Sequence, residues 1–317
     1  MKWITAALIG GSLLLPPFFA GDFYINLASQ ILIAAIFALS LNLLVGFGGM
    51  TSLGHASYLG VAAYISALLT NRYGFGHGAA AIISISGTVA MAGFFGVIAL
   101  RATGLGFLMI TLALSQVLWG LAYRMSNVTN GDNGITGLTR PAPFGISLEN
   151  PASFYWFVLI VAALAFVMMT IFVTSAFGSS LMGVRDQARR MAALGFNPWL
   201  IRWITFVYAG FWGGISGLLY VYYHKYIHPT SLSITSSAEA LLGVIAGGSG
   251  TLGGPAVGAA LVLLLKNYAS AYIERWNMLL GLVFLFIVLV MPTGIAPGFS
   301  RLVAKMRGER IDDRSRA

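Results

Sequence analysis

Long apolar segments separated by short polar loops dominate the chain. A membrane-spanning helix needs about 17–25 mostly apolar residues. Eight segments meet this requirement: 3–19, 24–45, 51–70, 79–100, 104–123, 153–177, 201–223 and 277–292. Because each is apolar around most of its circumference, helical periodicity adds little information. The pattern predicts an all-α fold, a polytopic bundle of about eight transmembrane helices forming a single domain over residues 1–317.

One apolar stretch, residues 238–265, does not fit a simple crossing. Its centre reads GGSGTLGGP, a run that disfavours helix. The flanking halves hold about ten residues each, too few to cross a bilayer at about 1.5 Å per residue. The segment is therefore either one long broken helix or a re-entrant hairpin.

The distribution of charge favours the hairpin. The loop 178–202 and the tail 299–317 each carry a net charge of +3, and basic loops gather on the cytoplasmic side. An even number of crossings must separate them, and spans 201–223 and 277–292 supply two. The stretch 238–265 should then return to the side it entered. This topology places both termini in the cytoplasm and the loop 124–152 outside, and we favour an uncleaved first helix over a signal peptide because many spans follow.

Composition supports a membrane protein and excludes several kinds of site. Charged residues make up 9% of the chain, against roughly 25% in soluble domains. The net charge of +9 lies in short loops, which indicates membrane topology and not nucleic-acid binding. The absence of cysteine excludes disulfides and thiolate metal sites. No phosphate-binding GxxxxGK[ST] motif occurs, so the chain cannot bind ATP through that motif.

The loop 178–200 predicts a short amphipathic helix from Met182 to Leu194. Asp186 and Arg190 could pair at i, i+4, and Gly195 offers a C-terminal stop before Asn197 and Pro198. Four residues would share one face: Val184, Ala188, Met191 and Gly195. A cytoplasmic helix directly before a span suits docking onto a partner whose motion moves that span. The alternative is a solvated basic loop.

This loop resembles that of a known family. The runs VRDQ (184–187) and ALGFN (193–197) look like the cytoplasmic loop of branched-chain amino acid ABC transporter permeases, specifically the larger-type subunit. Further segments match in the same order over roughly residues 24–300: LNLLVG at 41–46, NGDNGITG at 130–137, GGISGLLY at 213–220, GGSGTLGGP at 247–255 and MPTG at 291–294. The family usually has an acidic residue near position 188 and small residues near 190, where this chain has Ala188 and Arg190.

The resemblance implies a set of partners. They are two cytoplasmic ATPase subunits, a second homologous permease and a periplasmic or lipid-anchored substrate-binding protein, assembled in the bacterial inner membrane with lipid around the helices. It implies no cofactor and no catalysis in this chain. The implied ATPase-coupling residues are Arg185, Asp186, Gln187, Arg189, Arg190, Leu194, Gly195 and Asn197.

Polar residues within the apolar segments are candidates for the translocation path. Glu239 is the strongest, because its carboxylate could attract an ammonium group; alternatively it is an interfacial carboxylate at a helix N-terminus. The other candidates either line a path or bond across helices: Asn42, Thr111, Ser115, Gln116, Gly247, Gly248 and Gly250. Three residues of the outer loop are candidates for contact with the binding protein: Asn130, Asp132 and Asn133.

These expectations converge on an ABC importer subunit that carries branched-chain or related amino acids, with urea and short amides as alternative solutes. The alternative class is an ion-coupled secondary transporter. Such a transporter should hold ionisable residues in several spans, and only Glu239 meets that description in the sequence.

Overall fold

The computed structural model describes residues 21–145, 147–272 and 276–291, together with residues 294, 295 and 298. Over these residues the chain is helical, and its extended pairing is limited to one isolated bridge between Ile135 and Ile227. The predicted span 3–19 and the basic tail 299–317 lie outside the described residues. The longer helices are α1 (Asp22–Asn42), α2 (Ala56–Asn71), α3 (His77–Ala99), α4 (Leu105–Arg124), α5 (Pro151–Thr174), α6 (Ala176–Ala193), α7 (Pro198–His224), α8 (Ile234–Gly247), α9 (Gly254–Tyr272) and α10 (Trp276–Val290).

Five described helical segments are long and apolar enough to cross a membrane. They are Asp22–Phe47, His77–Ala99, Leu105–Arg124, Pro151–Thr174 and Pro198–His224. Each coincides with a predicted span. The predicted span 277–292 corresponds to α10, which has 15 residues, and the total of eight crossings stays a prediction.

The predicted span 51–70 is wrong at its start. The chain leaves α1 through a π-helical turn, Leu43–Phe47, and then passes Gly49 in a left-handed conformation (φ +64°). Helix resumes only at Ala56, so α2 has 16 residues. The Ser52 hydroxyl accepts a hydrogen bond from the Gly54 backbone, an alternative to helical bonding that favours the break.

Helix α7 lies at the centre of the bundle and packs against α1, α2 and α3. Small residues allow these close approaches. A Cβ at Gly217 would overlap the carbonyl oxygen of Leu59, and one at Gly210 would reach the methyl group of Ala92. The Ser216 hydroxyl also donates a 3.0 Å hydrogen bond to the α1 backbone. This packing makes α7 a rigid element between the two ends of the molecule.

Helices α8 and α9 form an antiparallel hairpin. Gly243 packs against Gly258, while Gly247 packs against Gly254 nearer the turn. The turn between them uses Gly248 and Gly250 at φ values of 115° and 78°, which only glycine adopts readily. Helix α8 has 14 residues, about 21 Å, which is shorter than a bilayer core. The chain turns back on itself here. Whether the hairpin returns to the side it entered, as the charge argument favours, stays a prediction.

The polar loop 124–152 and the basic loop 178–202 lie at opposite ends of α7. At its C-terminal end, the segment 125–150 packs against 222–228 and against the loop after α2, where Arg72 donates to the Asn127 carbonyl at 2.6 Å. We call this the loop end. At the N-terminal end of α7, α6 packs against the π-helical turn of α1. We call this the coupling end. A topology with loops 124–152 and 178–202 on different sides of a membrane requires this separation.

Candidate coupling segment and solute cavity

Helix α6 is bent, and the prediction of one continuous amphipathic helix from 182 to 194 is wrong. The helix begins earlier, where the Ser175 hydroxyl caps it by accepting from the Gly178 backbone at 3.3 Å. At Gln187 the backbone leaves helical geometry (φ −149°, ψ 84°), so two arms result. Past the bend, Met191 folds back against Gly183, where a Cβ would lie 2.8 Å from the Met191 sulfur.

The bend also removes a predicted ion pair. Asp186 does not pair with Arg190, because Gln187 breaks the i, i+4 register between them. Asp186 instead accepts a 2.8 Å bond from the Nε of its neighbour Arg185. Arg189 and Arg190 are both exposed at the surface of the coupling end.

Arg185 is bound to the end of α1. Its guanidinium donates a 2.9 Å hydrogen bond to the carbonyl oxygen of Gly46 in the π-helical turn. Its aliphatic stem covers Gly49, where a Cβ would lie 2.6 Å from the Arg185 Cγ. Arg185 therefore connects the coupling segment to α1 within this chain, a contact that the sequence did not suggest.

The segment ends as its sequence predicts, and the stop exposes an apolar surface. Gly195 is left-handed at φ 91°, and the Phe196 backbone donates to the Met191 carbonyl at 3.1 Å. Asn197 then caps α7 by accepting from the Leu200 backbone at 3.2 Å. Four apolar side chains between 42% and 67% exposed surround this stop, and we call them the apolar ridge: Leu194, Phe196, Trp199 and Leu200. An apolar patch beside exposed arginines is typical of a protein-docking surface.

A cavity of about 410 Å³ lies among α1, α2, α7, α8 and α9. Ligand sites in proteins usually measure about 300–1,000 Å³ and combine apolar walls with a few polar groups. Here the apolar wall includes Ile33, Leu59 and Val262, and the polar groups include Tyr220 and Glu239. A second cavity of about 500 Å³ adjoins it and shares Tyr220 and Glu239, while Gln116 lines only this second cavity.

An ion pair stands where the two cavities meet. The Lys266 ammonium lies 3.0 Å from one carboxylate oxygen of Glu239 and 3.3 Å from the other. The Glu239 side chain is 20% exposed and that of Lys266 is 48% exposed. The sequence pattern indicates Glu239 and does not indicate Lys266. A lysine within the apolar run after the glycine-rich centre was the available signal, since a hairpin places positions 239 and 266 side by side.

The remaining path candidates do not line these two cavities. Thr111 and Ser115 are both buried. Thr111 donates to the Leu108 carbonyl within its own helix, whereas Ser115 donates to the Leu232 carbonyl of a different segment. Asn42 is buried as well and bonds to the hairpin turn. Gly247 ends α8, and Gly248 and Gly250 form that turn.

The loop end presents the predicted binding-protein contacts on a fixed turn. Asn130 is left-handed (φ 62°), and its amide donates to the Gly134 carbonyl at 2.9 Å. The turn is attached to the segment after α7 by two 2.9 Å backbone bonds between Ile135 and Ile227. Asn130, Asp132 and Asn133 are all exposed, so the turn offers them to solvent.

Arg140 anchors this outer segment, a role that no motif in the sequence indicates. Its guanidinium donates to the carbonyls of Tyr222 (3.0 Å) and Leu148 (3.1 Å) and lies 4.3 Å from the centre of the Phe154 ring. A cation at the C-terminus of α7 is favoured by the helix dipole. Burial lowers the pKa of Arg140 from its ordinary value, while Glu149 opposes that shift. The side chain therefore ties the outer segment to the end of α7.

Replacing Glu149 with glutamine is expected to lower thermal stability at neutral pH by a small amount. The hydrogen bond from Lys225 holds the pKa of Glu149 below its ordinary value of 4.5. The carboxylate therefore stabilises the folded protein above that ordinary value, and the contribution disappears as the pH falls through the lower, folded-state value. Melting of the detergent-solubilised protein should show a difference between parent and Glu149→Gln at pH 7 that vanishes on acidification. A difference that persists below the folded-state pKa would contradict the assignment.

The family model described as branched-chain amino acid transport system, permease component, matches residues 23–289. The chain belongs to this family. The resemblance read from the sequence is thereby confirmed, and the branched-chain amino acid permease family accounts for the helical, multi-pass architecture.

Individual relatives of this permease are distant. The high-affinity branched-chain amino acid transport system permease protein LivM of Salmonella typhimurium is 25% identical over 307 residues, covering 89% of this chain and 72% of the relative. LivM of Escherichia coli K12 is 25% identical over 306 residues with the same coverage. LivH of E. coli K12 is 25% identical over 155 residues, covering 48% of this permease and 49% of LivH. No solved structure matches the chain.

Proposed function

We propose that this permease is one of two membrane subunits of an ATP-binding-cassette importer for branched-chain or closely related amino acids. The family match over residues 23–289 carries the proposal. Similarity to both LivM and LivH supports a pair of related permeases, since both are named as permeases of a high-affinity branched-chain amino acid transport system. ATP would be bound by separate subunits, and a binding protein would deliver the solute at the loop end.

The coupling end supports docking of the ATPases. The apolar ridge and the exposed Arg189 and Arg190 lie beside each other on the segment that leads directly into α7. Because α7 packs against α1, α2 and α3, a force on this segment would be passed to the bundle. The apolar ridge, and not Arg185, carries the docking contact, because Arg185 is already bonded to Gly46.

The cavity supports a zwitterionic solute with an apolar side chain. Glu239 would attract the ammonium group and Lys266 the carboxylate, and the two lie within 3.0 Å of each other before solute arrives. Ile33, Leu59 and Val262 would pack against a branched aliphatic side chain. An uncharged solute such as urea would form an ion pair with neither Glu239 nor Lys266. The charged pair therefore favours amino acids as solutes.

The ion-coupled alternative lacks its expected residues. Secondary transporters that use protons or ions hold ionisable groups within several helices. In the five described spans, Asp, Glu, Lys, Arg and His side chains occur only within the first or last five residues, as with Asp22, Arg124 and Arg202. This distribution favours a transporter driven by separate ATPases.

Changing Leu194 and Phe196 together to aspartate is expected to release the ATPase subunits. Two charges in the apolar ridge would have to be desolvated on docking, and the loss of a buried hot-spot residue costs an interface about 2 kcal/mol or more. When the transporter is expressed with its own ATPases, their recovery with the tagged permease should fall at least tenfold, and leucine uptake into cells should fall with it.

The matched control changes Tyr73 and Phe75 to aspartate. Both are exposed residues at the loop end, 65% and 45% accessible, so they test the effect of the same chemistry away from the docking surface. This variant should retain its ATPases. If the ridge variant also retains them and takes up leucine normally, the proposed docking role is wrong.

A further inference from the structure

The π-helical turn at the end of α1 lies between the coupling segment and the hairpin turn. On one side, Arg185 donates its 2.9 Å bond to the Gly46 carbonyl. On the other side, the same glycine lies against Gly250, so closely that a Cβ at Gly46 would overlap the Gly250 nitrogen. No side chain separates the two backbones here. Packed backbones have little room to deform independently, so a displacement of one is passed to the other.

Asn42, one turn earlier on α1, holds the hairpin turn with both ends of its amide. Its carbonyl oxygen accepts from the Gly250 backbone at 2.9 Å, and its amide nitrogen donates to the Thr251 carbonyl at 2.9 Å. The side chain is buried, 1% exposed. Two opposed bonds fix both the distance and the orientation of the turn relative to α1. A residue that only filled space between helices would need neither of these two hydrogen bonds.

The hairpin turn is itself rigid. The Thr251 hydroxyl donates to the Gly248 carbonyl at 2.7 Å and accepts from the Gly254 backbone at 3.1 Å, which closes the turn between α8 and α9. From this turn, α8 runs without interruption to Glu239 at the cavity. A shift of the turn therefore moves the charged end of the hairpin as well.

We propose that Asn42 and Arg185 are positioning residues that join the coupling segment to the hairpin. Displacement of the coupling segment moves Gly46 through Arg185, and Asn42 makes the hairpin turn follow. The Glu239–Lys266 pair at the other end of the hairpin then changes its position in the cavity when the ATPases act. This inference rests on the proposed importer function, and it assigns Asn42 a role in transmission and not in lining the path.

The absence of cysteine from the 317 residues allows a direct test. Gly253 is exposed at the hairpin turn and has open space around it, so Gly253→Cys can carry a spin label. In the full transporter, with cysteine-free partner subunits, a non-hydrolysable ATP analogue should change the spectrum of this label. Adding Asn42→Ala should remove the change while the ATPases stay bound and hydrolyse ATP. Leucine transported per ATP should fall about tenfold, since both bonds to the turn are lost.

Three further variants separate transmission from folding. Asn267→Ala is the matched control. Asn267 lies on α9 away from the turn, and its amide also donates to a backbone carbonyl, that of Leu263 at 3.0 Å. The spin label in this variant should respond to the ATP analogue as it does in the parent. Asn42→Asp keeps the acceptor for Gly250 and loses the donor to Thr251, so it should weaken the response even if the alanine variant does not accumulate. Arg185→Gln should retain the ATPases, which the apolar ridge holds, and lose the label response.

The outcomes distinguish this inference from the function on which it rests. If the label responds to the ATP analogue as strongly in the Asn42 and Arg185 variants as in the parent, the transmission role is wrong. If the parent itself neither retains ATPases nor requires ATP for leucine uptake, the importer function is wrong instead. Loss of response in the Asn267 control as well would assign the effect to general destabilisation and overturn the specific role of Asn42.

Discussion

Exchanging the two charges at the cavity, Glu239→Lys with Lys266→Glu, is expected to leave the permease folded and leucine uptake about a hundredfold lower. The exchanged side chains can still neutralise each other, so whatever the pair contributes to stability is retained. A bound amino acid, however, would meet each charge on the wrong side of the cavity. Two misplaced charge contacts, each equivalent to about tenfold or 1.4 kcal/mol, give the hundredfold loss.

The single variants Glu239→Gln and Lys266→Met provide the reference. Each removes one side of the ion pair at the cavity, and both stability and uptake should fall. Thermal melting of the purified protein and leucine uptake in cells measure the two effects separately. If the exchanged pair recovers uptake as well as stability, Glu239 and Lys266 are only a structural ion pair, and the proposed solute contact is wrong.

Replacing Gly258 with alanine is expected to abolish uptake by separating the two arms of the hairpin. A Cβ at this position would overlap the Gly243 carbonyl oxygen and lie 2.8 Å from the Gly247 nitrogen. Alanine stabilises a helix by about 1 kcal/mol relative to glycine. Overpacking of a close backbone contact costs about 1–3 kcal/mol or more, so the clash should outweigh the helix propensity.

Gly253→Ala is the matched control for this change. Gly253 has open space around it and lies in the same hairpin, so the substitution adds the same methyl group without a clash. Thermal melting should show Gly258→Ala below the parent and Gly253→Ala at or above it. Equal stability of the two variants would mean that α8 and α9 do not approach as closely as the structure places them.

Helix existence could be read directly from the chain, because membrane-spanning segments are long and mostly apolar. Five predicted spans coincide with described helices, including Pro151–Thr174 and Pro198–His224. The starts and breaks were harder to predict. The prediction placed a helix over 51–55, where the structure has a non-helical break shaped by Gly49, Ser52 and Gly54. Hydropathy does not register such a break, since these residues are small and not charged.

The candidate site shows the same division. Gly195 and Asn197 act locally, through bonds that span three to five residues. The helix stop at Gly195 was predicted for that reason, whereas the cap that Asn197 forms on α7 was not. Arg185 and Asn42 bond to backbone groups 139 and 209 residues away. Every residue has a backbone carbonyl, so no sequence pattern indicates which carbonyl a distant side chain will bind. Lys266 was missed for a related reason, since its partner became evident only once the hairpin had formed.

The sequence alone determined that this protein is a helical membrane permease, where most of its spans lie, and to which family it belongs. The spans follow from local composition, because lipid requires long apolar helices whose backbone bonds are satisfied internally. The family follows from short motifs and their order along the chain. The tertiary structure decided that the hairpin turn is held by Asn42, that Arg185 is bonded to Gly46, and that Glu239 faces Lys266 at a cavity. These pairings depend on how closely glycine-lined backbones approach in space, and that distance is set by the packing of the whole bundle.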